Sequence, residues 1–469
     1  MKYFYCGFIF LFFSCSSDPF SEEEYINIRY ELGEENLVSH LSIEAFTADK
    51  AFGRGIPGLS DLELSFFGVG NAMFDQSWVS APATTTSRDG LGPLFNARAC
   101  SACHLRDGRG KPIVENGFGS EGFLIRLSSG NDPITGPIGL FNYGDQFQDD
   151  ANLGVEKEGS INVRFQTIAG IYPDGETYEL RKPMYSIVNE NYGNISGAHQ
   201  SARVGAQVIG LGFIDALSEA SILVNQDIND IDGDGISGKA NYVWNVKEAR
   251  TTIGKFGWKA NQPSLEQQIA AAFSGDLGLT SSLFPDENCP HGVDCTKISN
   301  GNNIGETVEV TDTQMSRMMV YQAAISVPKR RDFKTTDVLE GKQLFNDLAC
   351  VNCHVNNFKT SNNYSLLTQI ENITIRPYSD FLLHDMGADL ADNRADFLAN
   401  GNEWRTPPLW GLGLIEEVNK HTFLLHDGRA RNIEEAVLWH GGEAENSKNR
   451  YKNLSKENRE QVLKFLKSL

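Results

Sequence analysis

Four of the eight cysteines fall in two copies of one pattern, Cys100-Ser-Ala-Cys103-His104 and Cys350-Val-Asn-Cys353-His354. Cys-x-x-Cys-His is the spacing at which a c-type haem is attached. Two thiols one helical turn apart can form thioethers to the two vinyl groups of one haem, and the adjacent His then lies under the iron as proximal ligand. A thioredoxin-like pair or half of a zinc site also uses Cys-x-x-Cys, but neither calls for His after both copies. Two covalent haems, on His104 and His354, are the constraint around which the rest of the chain is read.

The flanks of the two motifs match in frame. Leu94-Phe95-Asn96-Ala-Arg-Ala99-Cys100 and Leu344-Phe345-Asn346-Asp-Leu-Ala349-Cys350 lie 250 residues apart. They read as a duplicated helix that ends in each attachment site, and hence as two cytochrome c-like domains in a mainly α chain. A second echo follows each site. Ser264-Leu-Glu-Gln267 and Asn432-Ile-Glu-Glu435 are both capping-box starts of a helix. Aligning these caps places Trp258 on His426, Gln268 on Ala436 and Ala272 on His440. At helical spacing, Leu265, Gln268, Ile269 and Ala272 share one face, as do Ile433, Ala436, Val437 and His440. If this helix covers the haem, the C-terminal copy offers an imidazole and the N-terminal copy only a methyl group. His384 and Met386 are further candidates for a sixth ligand to the second iron. Met315, Met318 and Met319 read as core, and His421 as a loop histidine.

With these residues in view, the sequence resembles the bacterial di-haem cytochrome c peroxidase superfamily. Within it, the match is closer to the group called di-haem oxidoreductase, putative thiol oxidoreductase or putative peroxidase. The resemblance is carried by Asp89-Gly-Leu-Gly-Pro-Leu-Phe-Asn-Ala-Arg, by Arg405-Thr-Pro-Pro-Leu-Trp-Gly-Leu-Gly, and by His426-Asp-Gly-Arg with its continuation to Trp439-His-Gly-Gly-Glu-Ala. It implies that the residue 14 positions after His426, here His440 where the superfamily usually has Met or Tyr, is the distal ligand of the C-terminal haem. It puts the inter-haem Trp on Trp258 and the distal-pocket Gln of the N-terminal haem on Gln268. The acid that should follow has Asp276 as its nearest candidate. Members that close the N-terminal site use a His soon after the first motif, whereas none occurs here between His104 and His199. An electron donor such as a small cytochrome or cupredoxin is the implied partner, and peroxide reduction at an open N-terminal iron is the implied activity. The alternative is a non-catalytic electron carrier with both irons six-coordinate.

The N-terminus resembles a bacterial lipoprotein signal. An apolar run from Tyr3 to Phe13 leads to Cys15, the lipidation candidate, although an ordinary signal peptide cut nearby has the same look. Residues 1–14 are thus read as signal and 15–43 as an acidic tether. Residues 44–327 form the first domain, with an insert of loops and short strands at about 110–250, and 328–469 form the second. The run is too short to span a bilayer, so export to the periplasm or cell surface would leave the chain held by lipid alone. With 41 Lys and Arg against 61 Asp and Glu, the net charge of −20 argues against nucleic acid and for a basic docking partner. The stretch from Gln200 to Leu223 has helix-like periodicity. Asp230, Asp232 and Asp234, with the Ile236 carbonyl, fit the first positions of a calcium loop, but Asn241 replaces its closing Glu, and a solvated acidic turn remains the alternative. Cys289 and Cys295 read as a disulfide-closed loop or as a reactive thiol pair.

Overall fold

The computed structural model describes residues 29–469 apart from 45–47, 120–121, 293, 296–297 and 303–306. The signal segment, Cys15 and the first part of the tether lie outside the described residues. Helix accounts for 29% of the structure and strand for 20%, spread over many small sheets, so the mainly α, cytochrome c-like architecture expected from the duplication is not the one adopted. The excess strand comes from the insert. Ser160–Ile171 and Thr177–Val188 are strands of 12 residues each, paired antiparallel from Ser160 opposite Val188 to Ile171 opposite Thr177. Gly117–Phe118 adds a third strand outside the first. The loops and short strands expected there understate this hairpin. Its period-2 pattern, with Ile161 and Val163 buried and the far end exposed, is what a half-solvated antiparallel ribbon requires.

The stretch read as helical from Gln200 is also different. His199–Val204 is a strand paired with Phe123–Ser128, and only Leu211–Asp215 and Glu219–Leu223 are helical. Every side chain from Ser201 to Val204 is buried, which a strand covered on both faces satisfies and an amphipathic helix does not. The matched flanks of the two motifs diverge as well. Leu344 and Phe345 lie in the Thr336–Asp347 helix, but Leu94–Phe95 is a short strand against Asp150–Ala151. Gly90, Gly92 and Pro93 precede it, and none of them favours a helix there.

The N-terminal counterpart of that helix is Asp61–Asp75, begun by a full capping box between Ser60 and Glu63. It crosses the Asp312–Ala324 helix at Gly70, where a Cβ would stand 2.5 Å from the Cβ of Tyr321. Thr336–Asp347 crosses the C-terminal helix, Lys456–Ser468, at Gly341, where a Cβ would stand 2.9 Å from the Cβ of Phe465. Four residues after each glycine comes a phenylalanine that faces the proximal histidine: Phe74 lies 6.2 Å from the His104 ring and Phe345 lies 6.0 Å from the His354 ring. The two halves therefore share a helix crossing that seats the attachment motif, although the local chain leading to Cys100 differs. One apolar core, running from Leu37 to Leu469, takes in residues of both halves, while a smaller one lies under the insert.

Candidate haem centres and active site

A cavity of about 440 Å³ lies between the halves, with both attachment motifs in its wall. His104 follows the one-turn helix Cys100–Cys103, and His354 follows the turn Cys350–Asn352. His104 Nδ1 hydrogen-bonds the Ala206 carbonyl at 2.6 Å, and His354 Nδ1 bonds that of Tyr378 at 2.8 Å. His440 Nδ1 likewise bonds the Ala436 carbonyl at 2.7 Å. A backbone carbonyl on Nδ1 fixes the tautomer that leaves Nε2 as the metal-binding nitrogen, the usual support of an iron-ligating imidazole. Burial pushes the pKa of all three rings down, that of His354 to about 4, so they are neutral and able to ligate. None of the four motif cysteines is disulfide-bonded. Burial, reinforced by neighbouring Asp276 and Cys103, raises the Cys100 thiol to about 12; burial also takes Cys350 to about 12. The donor set fits two haems.

The two helices begun by these caps present different side chains to the cavity. Ser264 accepts from the Gln267 N–H and Asn432 from the Glu435 N–H, which starts the Leu265–Leu277 and Ile433–Trp439 helices. The reciprocal half of each box is absent: Gln267 Oε1 accepts from Val246 N, and Glu435 Oε2 from Arg431 N. Ile433, Ala436, Val437 and His440 all line the cavity, as do Gln268, Ile269, Ala272 and Asp276. The C-terminal helix stops at Trp439, with His440 as its cap, near enough to His354 to disfavour protonation there. The N-terminal helix runs two turns further and carries Asp276 within electrostatic reach of His104. Burial raises the Asp276 carboxyl, Arg126 pulls it back, and Gln146 Nε2 donates to it at 2.8 Å.

Trp258 lines the same cavity. Its indole N–H donates to the Val204 carbonyl at 2.9 Å, and Val204 N–H donates to the carbonyl of His426, the residue that the cap alignment equates with Trp258. His426 stacks on Trp404 at 3.7 Å, and burial lowers its pKa to about 3, so it is a neutral packing ring. His384 has both nitrogens engaged, Nδ1 with Glu443 at 2.7 Å and Nε2 with Asp380 at 2.8 Å, which removes it as a sixth ligand. Met386 lines the cavity, its carbonyl 3.0 Å from where a Gly441 Cβ would stand. His421 is buried against the Arg109 carbonyl, and Met315 and Met318 are core residues.

Among the acidic loop residues, Asp227, Asp230 and Asp232 bring carboxylate oxygens within 4.8 Å of one another. Asp234 accepts from Asn352 of the second attachment motif at 2.7 Å, and Ile236 reaches the cavity wall. The sulfurs of Cys289 and Cys295 lie at bonding distance, with Cα atoms 6.2 Å apart.

The second repeat, Gly70-x-x-x-Phe74 and Gly341-x-x-x-Phe345, is hidden in the sequence because its spacing to the motif differs between copies. Phe74 stands 26 residues before Cys100, whereas Phe345 stands five before Cys350.

Two attachment motifs and three anchored histidines around one cavity define a two-haem redox protein. The chain belongs to the family described as di-haem oxidoreductase, putative peroxidase, whose model matches residues 41–469. Membership makes haem its cofactor and oxidoreduction its broad chemistry. No curated protein and no solved structure matches the chain.

Proposed function

We propose that the chain is a peroxidase-like oxidoreductase with two unequal c-type haem centres. His354 and His440 would hold one as a six-coordinate electron-transfer centre, and His104 would hold the other with no protein ligand opposite. The observation that carries this reading is the pairing of Ala272 with His440 on equivalent faces of the two covering helices. The bound haems would supply one-electron redox chemistry, with peroxide as the substrate of the N-terminal centre. Around that centre, the Gln268 amide would orient substrate through hydrogen bonds. Asp276, whose burial favours the protonated form, would give a proton to the leaving oxygen. Trp258 would lie on the path between the centres.

Acid–acetone extraction should leave the colour on the protein, and the mature mass should exceed the polypeptide by two haems plus lipid. The electron paramagnetic resonance spectrum of the oxidised protein should contain one low-spin and one high-spin centre, and cyanide should perturb only the latter. Two low-spin centres without a cyanide response would instead mean an electron carrier.

The same reading takes the chain as exported and lipidated at Cys15, with Cys289 and Cys295 joined as a disulfide in an oxidising compartment. Its net charge of −20 suits a basic donor protein, a small cytochrome or cupredoxin. The loop from Asp227 to Ile236 would bind calcium in a structural role, supported by its three clustered carboxylates. If so, chelation should lower Tm, and a hundredfold excess of calcium over its Kd should restore about 2.7 kcal/mol. A Tm indifferent to chelator would leave the loop as a solvated acidic turn.

A further inference from the structure

Five cationic side chains line the cavity, and three of them are neutralised locally. Arg126 faces Asp145 at 3.2 Å, Arg203 faces Asp392 at 3.3 Å, and Lys448 faces Glu445 at 2.6 Å. Arg109 and Arg405 have no carboxylate at ion-pair distance among the described residues, although they are only 5% and 8% exposed. Arg109 Nη2 donates to the Leu425 carbonyl, and its buried Nε finds no acceptor. Arg405 donates only to carbonyls, Nε to Gly257 at 2.8 Å and Nη1 to Thr406 at 3.4 Å.

The carboxylates nearest in electrostatic effect are already committed. Asp427, which acts on Arg109, pairs with Arg429 at 2.9 Å; Asp380, which acts on Arg405, pairs with His384 at 2.8 Å. Arg429 is engaged by this pair and does not line the cavity. A buried guanidinium without an anion is costly, and its planar fork matches a carboxylate in bidentate geometry. Each haem brings two propionate carboxylates.

We propose that Arg109 and Arg405 are the propionate anchors, Arg109 for the haem on His104 and Arg405 for the haem on His354. Arg109 lies five residues beyond His104. Arg405 is electrostatically tied to Asp380, whose N–H donates to the Cys353 carbonyl at 2.9 Å. Both arginines also hold Trp258. The Arg109 guanidinium sits 5.0 Å over its ring, and the Arg405 N–H donates to its carbonyl at 2.9 Å. The two residues that would hold the propionates thus both contact Trp258. The inference rests on the two-haem reading of the cavity.

Spectroelectrochemical titration of the holoprotein tests it. Removing the cation leaves a bare propionate that favours ferric iron, so the potential must fall. Arg405→Gln should shift the ferric/ferrous equilibrium of the low-spin haem about tenfold, about 59 mV, and leave the other haem unmoved. Arg109→Gln should do the same to the high-spin haem alone. The Lys variants keep the charge and lose the fork, and should shift the same haem in the same direction by a smaller factor. They replace the Gln variants if those fail to load haem. Unmoved potentials in variants that carry both haems and melt as the parent does would overturn the assignment, as would equal shifts of both haems. A parent protein without covalent haem would instead remove the reading beneath it.

Discussion

Changing His440 to Ala should convert one low-spin ferric haem to high-spin while the spectrum of the other stays as it was. The Ile433–Trp439 helix ends before His440, which lines the cavity within electrostatic reach of His354. The Ala436 carbonyl, one turn back, takes Nδ1 at 2.7 Å and leaves Nε2 free to bind a metal. Two neutral imidazoles give low-spin iron at a lower potential than His/Met ligation, so the variant should also titrate at a higher potential. Met386 is the rival: it lines the same cavity and its carbonyl lies beside Gly441. Its sulfur would give a different spectrum and a higher starting potential. If Met386→Ala produces the spin change and His440→Ala does not, the second iron is His/Met. Because Nδ1 bonds a backbone carbonyl, loss of the imidazole removes no buried charge. The folded state should survive, and the comparison should remain readable.

The two Cys-x-x-Cys-His motifs and the difference between the two capped helices are legible in the sequence because each is local. Cys-x-x-Cys-His needs five residues, and the cap-to-ligand register needs one helix. Secondary structure around the first motif was not legible. Leu94-Phe95-Asn96 and Leu344-Phe345-Asn346 are identical, yet one is strand and the other helix, since Gly90, Gly92 and Pro93 stand before the first copy. The true partner of Phe345 is Phe74, found only through packing: both rings rest about 6 Å from a proximal histidine. The strand at the end of the insert is hidden for a related reason. Ser201 to Val204 alternate poorly because both faces of that strand are buried, one toward the apolar core under the insert and one toward the ion pairs of Arg203. Arg405 opens one of the stretches that carry the resemblance, but its role and that of Arg109 are not legible, since nothing in a sequence reports that a nearby Asp is already taken.

Ala272→His should close the N-terminal centre. Ala272 lies one turn beyond Gln268 and one turn before Asp276, on the face of the Leu265–Leu277 helix that lines the cavity. That is where the C-terminal half carries His440, so an imidazole introduced there would meet iron held by His104. The methyl group now present cannot ligate, and His199, the histidine of the insert, is on an exposed strand end away from this cavity. The variant should convert the high-spin centre to low-spin, abolish the cyanide response, and cut peroxide turnover by about 100-fold or more, which is above about 2.7 kcal/mol in the barrier. Reduction of the His354 centre by a donor should proceed as before, because His440 and its helix are untouched. Ala272→Leu is the control for bulk alone: it fills a similar space without a ligating atom, so it should slow peroxide yet keep the high-spin signal. If Ala272→His retains turnover and a high-spin spectrum, the Leu265–Leu277 helix does not cover the iron on His104, and the site of peroxide chemistry must be sought elsewhere along the cavity.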